Sequence, residues 1–314
     1  MSVIAVVGSL NMDLVIRAPR QPFLGETLMG RSFGTTGGGK GSNQALACAR
    51  LGAESYMIGC VGDDDFGARL RNTLVEGKVD CSHLEVSGEA GTGVAVITVT
   101  DAGENTIVLA TGANALVSER TIERASDIFK KADAALFQLE IPVAAVAAGL
   151  AFARKTGCKT VLTPAPATDL PRSIWPMVDY LLLNETELAF YASKTDGTGR
   201  SGNDAVDAAE RLVTAGAKGV IVTRGARGGV VVTKENTFTY APFKVNAVDS
   251  TGAGDAFCAG MIVGLSEGMS FEQAARFASA SGALACTRFG AHPSLPWRHE
   301  VEALLERDAG ADRS

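Results

Sequence analysis

The sequence is short of histidine, of paired cysteine, of basic charge and of uninterrupted apolar runs, and each shortage removes a class of function. Three histidines stand in 314 residues. His83, His292 and His299 do not cluster with other ligands, which argues against a zinc centre, and order alone supports no Ser–His–Asp grouping. Cys48, Cys60, Cys81, Cys158, Cys258 and Cys286 lie far apart with no C-x-x-C spacing. They read as small buried hydrophobes in a reducing cytosol rather than as a disulfide framework. Lys and Arg number 29 against 35 Asp and Glu, a net charge of −6. That balance lacks the footprint of a nucleic-acid or anionic-membrane binder. The longest apolar stretch, 132–153, is broken by Asp133, Gln138, Glu140 and Pro142, so it predicts a strand followed by a helix and not a membrane span. The opening Met1-Ser-Val-Ile-Ala-Val-Val-Gly8 has no basic region before its apolar run and reads as a first strand. A cytoplasmic protein with small-molecule partners is the expectation.

Glycine is abundant: 36 residues, well above the usual share of roughly 7%. No G-X-Y period accompanies them, so they belong in turns and ligand-binding loops. From about residue 115, β-rich runs alternate with amphipathic helices: 134–139, 160–163, 180–183 and 219–223 as strands, with a helix after Pro142 ending near Gly157 and another, capped by Asn203-Asp204, ending near Gly216. This rhythm predicts an α/β fold, a three-layer, mostly parallel sheet with helices on both faces. Residues 219–223 and 229–233 read as an antiparallel pair at the sheet margin. Two regions break the rhythm. Extended runs at 14–18 and 27–34, and a hairpin of 94–99 with 106–110, predict a small second sheet that must pack on the main body or on another subunit. The expected division is 1–13, 35–90 and 111–307 for the main body, 14–34 and 91–110 for a β-sheet lid and dimer clasp, and 308–314 for a frayed tail.

Three segments carry chemistry. In Val248-Asp-Ser-Thr-Gly-Ala-Gly-Asp-Ala-Phe257, Gly252, Ala253 and Gly254 let backbone N–H groups approach an anion at a helix start. Asp255 sits in the first turn of that helix, where a carboxylate can take a hydroxyl proton. An anion hole beside a base suits phosphoryl transfer. Gly37-Gly-Gly-Lys-Gly-Ser-Asn43 is not a Walker A loop, because Gly41 follows Lys40 where Ser or Thr is needed. The stretch Gly8-Ser-Leu-Asn11 lacks the Rossmann G-x-G turn. What the 37–43 loop offers, an ammonium, an amide and backbone donors, suits a polyhydroxylated ligand. Asn184-Glu-Thr-Glu187 opens a helix at a strand's C-terminal end, where Glu187 could organise hydrated Mg²⁺. Glu140 ends another strand, and Thr223-Arg-Gly-Ala-Arg-Gly228 offers groups compatible with nucleotide phosphates. Each segment alone also reads as a glycine turn or an acidic helix start.

Taken in order, Gly8–Asp13, Gly38–Asn43, Thr92–Ala95, Gly112–Ala115, Gln138–Glu140, Pro164–Pro166, Asn184–Glu187, Thr223–Gly228, Asp249–Asp255 and Thr287–Trp297 resemble the ribokinase-like (PfkB) family of sugar kinases over nearly the whole chain. The resemblance implies ATP-dependent phosphorylation of D-ribose at its 5-hydroxyl, with Asp255 as general base and Gly252-Ala253-Gly254 as anion hole. It implies that Asn11, Asp13, Gly39, Lys40, Asn43 and Glu140 hold the sugar. Asn184, Thr223, Gly225, Arg227, Gly228, Gly254 and Ser279 would line the ATP site, with Asn184 and Glu187 serving the Mg²⁺–phosphate network. It further implies an activating K⁺ beside the anion hole, held by Asp249 and Ser294 side chains and by carbonyls of Thr251, Ala285, Arg288 and Gly290, and a homodimer through the lid sheets. Asn11 could pair a 2-hydroxyl and so penalise the deoxy sugar. Met12 is bulkier than the residue usual before that aspartate, and Ser279 stands where relatives often carry Asn or His. Another sugar or nucleoside kinase of the family, or a sugar-binding sensor without turnover, stays open.

Overall fold

The computed structural model describes residues 1–195 and 204–311; Asn203 and the end of the predicted tail lie outside them. Ten strands form the larger sheet. From one edge the order is Thr237–Tyr240, Gly229–Thr233, Gly219–Thr223, Tyr180–Asn184, Lys159–Leu162, Ala134–Phe137, Val3–Val7, Glu54–Gly62 and Val79–Asp80, with Leu84–Ser87 also pairing with Glu54–Gly62. Only the first two pairings are antiparallel; the rest are parallel.

Side-chain alternation explains why both faces are covered. Along Val3–Val7, Ala5 and Val7 enter one buried cluster while Ile4 and Val6 enter the other. Ala135 and Phe137 likewise oppose Ala134 and Leu136. Helices such as Val143–Thr156 close the first cluster, and Lys40–Arg50, Ala253–Ser266 and Phe271–Ala285 close the second. Gly157, with φ of 79°, ends the first of these in the left-handed conformation that glycine adopts freely. Asp204 caps the Ala205–Ala215 helix by accepting from the Val206 amide.

The second sheet has four strands in the order Ser32–Gly38, Asn11–Ala18, Gly93–Thr100 and Asn105–Ala110. The hairpin read from the sequence is present. The extended run read at 27–34 is instead Ser32–Gly38, and Asn11–Ala18 starts at Asn11 rather than Leu14. Its register explains the shift: Asn11 pairs with Gly38 and Met12 with Gly37, so the glycine loop itself is strand until Gly39. The following helix begins at Lys40, inside the segment read as a loop to Asn43. Asp308 to Ala311, expected to fray, continue the Arg298–Ala311 helix. Among the described residues no helix is long and apolar enough to cross a membrane.

Candidate active site

Packing of the Lys40–Arg50 helix against the Ala253–Ser266 helix brings the two glycine-rich segments together. The contact is a buried carboxylate. Asn43 Nδ2 donates to Asp255 Oδ2 at 2.8 Å and Gln44 Nε2 donates to Asp255 Oδ1 at 3.0 Å. Burial pushes the Asp255 carboxyl up to about 6, and the Lys40 ammonium with the Asn43 and Gln44 donors restrains that rise. Its proton affinity is thus close to that of a neutral medium.

Asp255 lies where its helix leaves backbone donors unused. Gly252 caps that helix with φ of 78°. Ala253 donates to the Ser250 carbonyl at 3.2 Å and Ala256 to Gly252 at 2.8 Å. The Gly252, Gly254 and Asp255 amides have no such partner among the described residues. Of the three amides read as an anion hole, Ala253's is bonded to a carbonyl, while those of the two glycines, and Asp255's beside them, have no such bond among the described residues. Beyond its own turn, a Cβ on Gly254 would meet no atom of the described residues within 4 Å, so the turn opens onto free space.

A second polar group borders this one. Glu140 Oε2 accepts from Ser9 Oγ at 2.5 Å, from Asn11 Nδ2 at 3.3 Å and from the Lys40 amide at 3.2 Å, and Glu140 Oε1 is 3.5 Å from Lys40 Nζ. Burial works against the Lys40 ammonium, but Glu140, Asp255 and Glu187 together raise its pKa above the ordinary lysine range. Burial first, then Glu140, pushes Asp13 up to about 7. Gly38 and Gly39 are glycine for steric reasons. A Cβ at 38 would fall 2.3 Å from Asp13 Oδ2, and one at 39 would fall 2.7 Å from the Asn11 amide nitrogen. Asn11, Asp13, Gly39, Lys40, Asn43, Glu140 and Asp255 therefore form one cluster.

Asn184 and Thr223 pair across neighbouring parallel strands at their C-terminal ends. Asn184 Oδ1 accepts from the Glu187 amide at 2.9 Å and Glu187 Oε2 accepts from the Asn184 amide at 3.0 Å, a reciprocal helix cap. Arg227 pairs with Glu185 in the turn Gly225–Arg227, beside Gly228. Ser279 donates its hydroxyl to the Ala241 carbonyl at 3.2 Å, and the residues flanking Ala241, Tyr240 and Pro242, pack against Gly228. Asp249 ties a further loop together: Oδ1 accepts from Thr251 N and Oγ1, and Oδ2 from the Gly290 amide at 2.9 Å. Ser294 Oγ donates to the Thr251 and Ala291 carbonyls. Ala285 ends the Phe271–Ala285 helix, and the Arg288 side chain is turned to Glu300.

Sequence reading gave no site role to Asn114 and read His292 only as a histidine outside any metal cluster. Asn114 Oδ1 accepts from the Leu10 amide while its Nδ2 donates to Asn11 Oδ1 at 2.8 Å, which leaves the Asn11 Nδ2 for Glu140. Buried His292 places Nε2 3.0 Å from Ser42 Oγ and joins the 290–294 segment to the Lys40–Arg50 helix. Burial and then Arg50 push its pKa down to about 4, so it is a neutral structural residue. The available signal was polar side chains inside otherwise Ala- and Gly-rich elements.

Residues 1–298 match the pfkB family carbohydrate kinases. The chain belongs to that family. Within it, the ribokinase of Haemophilus influenzae is 38% identical over 96% of this chain and 98% of its own length. A ribokinase from Thermotoga maritima superposes with a TM-score of 0.90 at 33% identity, covering 98% of this chain and all of that one (100%). The Arabidopsis thaliana ribokinase, solved with ribose and ATP, gives 0.89 at 30% identity over 97% and 99% of the two chains. The pfkB kinases' mostly parallel sheet and separate small sheet are both present here.

Proposed function

We propose that this chain phosphorylates D-ribose to D-ribose 5-phosphate with Mg·ATP. The observation that carries this reading is the ionisable carboxylate of Asp255 standing in the first turn of a helix whose Gly252, Gly254 and Asp255 amides have no backbone partner among the described residues. Similarity to ribokinases over nearly the full chain supports the substrate pair.

Asn11, Asp13, Gly39, Lys40, Asn43 and Glu140 orient the sugar, bringing its 5-hydroxyl to Asp255. The hydroxyl oxygen attacks the γ-phosphorus, its proton passes to Asp255, and the bond from that phosphorus to the bridging oxygen of ADP breaks. The free amides meet the charge on the transferring group. Asn184, Thr223, Gly225, Arg227 and Gly228 hold the nucleotide, while Asn184 and Glu187 serve the Mg²⁺ and water that arrive with it. Asp249, Ser294 and the carbonyls of Thr251, Ala285, Arg288 and Gly290 supply hard oxygens suited to K⁺. Burial opposes ionisation of Asp249, but bonds from Thr251 and Gly290 outweigh it and lower its pKa, so the carboxylate carries the charge a cation site needs. K⁺ bound there supplies a fixed positive charge beside the anion-hole loop. The small sheet acts as a lid and joins two copies; its outward Phe33, Ile107 and Val108 are exposed, as a clasp requires. The unpaired cysteines suit a cytoplasmic location.

The test is a panel of pentoses, hexoses and nucleosides with ADP release measured. Ribose should lead, and a tenfold preference for deoxyribose overturns the substrate assignment. Asp255→Asn should lose at least ~10³-fold in kcat while still binding ribose, because the base is gone but the sugar contacts remain. Near wild-type turnover in that variant refutes the base.

A further inference from the structure

Gln44 and Gln138 are fully buried, and no step above uses either. Primary amides go into a protein interior at a cost unless their donors and acceptors find partners. Gln44 Nε2 donates to Asp255 Oδ1 at 3.0 Å, and Gln44 Oε1 accepts from Gln138 Nε2 at 2.6 Å. The far end of the chain is wedged. Among the described residues Gln138 Oε1 has no partner, and it lies 1.9 Å from the position a Cβ on Gly8 would take. Glycine at 8 is what makes room for this side chain.

An amide side chain donates at one end and accepts at the other. The two glutamines in series therefore have a direction, each N–H aimed toward Asp255. An N–H given to a carboxylate favours its charged form, whereas a carbonyl presented to it favours the protonated acid. Reversing Gln44 would set its Nε2 against Gln138 Nε2 and lose that bond. We propose that Gln138 and Gln44 form a directional amide relay that positions Asp255 and holds it in its proton-accepting form. The proposal rests on Asp255 being the base. Other groups also face Asp255: Lys40 favours its charge, Glu140 and Asp13 oppose it, and the Cys258 thiol lies on the same helix. Lys40 and Glu140 are themselves paired, and Asn43 supplies only the other carboxylate oxygen. Gln44 is thus the donor to Oδ1, and Gln138 sets its sense.

The experiment measures kcat at saturating ribose and Mg·ATP from pH 5 to 9 for Gln44→Met, Gln138→Met and the double variant. Losing one hydrogen bond to a charged group should move the acid limb of Gln44→Met upward by about one pH unit. Gln138→Met should move it in the same direction by less. Both rates should return to within about threefold of wild type by pH 9. Because the residues act in series, the double variant should resemble Gln44→Met alone. An unmoved limb, equal loss at every pH, or additive shifts would overturn the relay. Melting curves check folding, and should Gln44→Met not fold, the limb of Gln138→Met decides alone. If Asp255→Asn turns over normally, the base assignment has failed; if it is inactive while the limbs stay put, only the relay has.

Discussion

Gly254 and Gly39 offer a paired test with opposite expected outcomes. A Cβ on Gly254 meets nothing within 4 Å, and its φ lies outside the left-handed region. Alanine therefore fits the fold, and in a first helical turn it should add up to about 1 kcal/mol of stability. The same methyl intrudes on the open space beside the free amides where a phosphate is to dock. The amide itself stays, but a phosphate held off it by the methyl forfeits that contact, and loss of one such contact costs roughly 10²–10³-fold in kcat. Gly254→Ala is expected to melt no lower than wild type, to turn over at least ~100-fold more slowly, and to keep ribose KM within about threefold. Gly39 differs on both counts. Its φ of 91° with ψ of 130° is sparsely populated backbone that costs a residue with a side chain about 1–3 kcal/mol. The Cβ would sit 2.7 Å from the Asn11 nitrogen and 3.0 Å from Leu10 Cα and the Ser9 carbonyl oxygen, all backbone atoms that cannot swing aside. Overpacking adds about 1–3 kcal/mol, so Gly39→Ala should lose roughly 2–6 kcal/mol by these two terms in urea unfolding. Full activity in Gly254→Ala would show that the phosphate does not dock on this turn, and unchanged stability in Gly39→Ala would contradict the packing account.

The raised pKa of Asp13 predicts a stability effect with a defined sign. A carboxyl raised from 3.8 to about 7 on folding contributes stability that is complete below 3.8 and lost as pH rises through about 7. Asp13→Asn should thus stabilise the ligand-free protein at pH 8, on the order of a few kcal/mol. The gain should shrink toward pH 5, and ribose affinity should fall; a pH-independent difference in melting temperature contradicts this. Replacing K⁺ by Na⁺ in the assay should lower kcat severalfold, and indifference to the cation removes the role given to Asp249 and Ser294.

Sequence alone determined those features that depend on residues a few positions apart. Alternating β-rich and helical runs specified the parallel sheet, because hydrophobic period and turn residues act locally. The adjacency of Gly252, Gly254 and Asp255 placed a carboxylate beside unpaired amides, since the first turn of any helix leaves its donors free. Tertiary structure alone decided what each polar side chain meets. Asn43 and Asp255 are 212 positions apart, Gln44 and Gln138 94, and nothing in local pattern fixes such pairings. The same holds for the strand at Ser32–Gly38, whose glycines carry no β-propensity and are extended because Asn11–Ala18 pairs with them. Ala253's amide, free by position, is taken by the carbonyl that the turn folds back against it. Where a group's neighbours come from distant segments, packing sets its charge and its partners, and the order of residues does not.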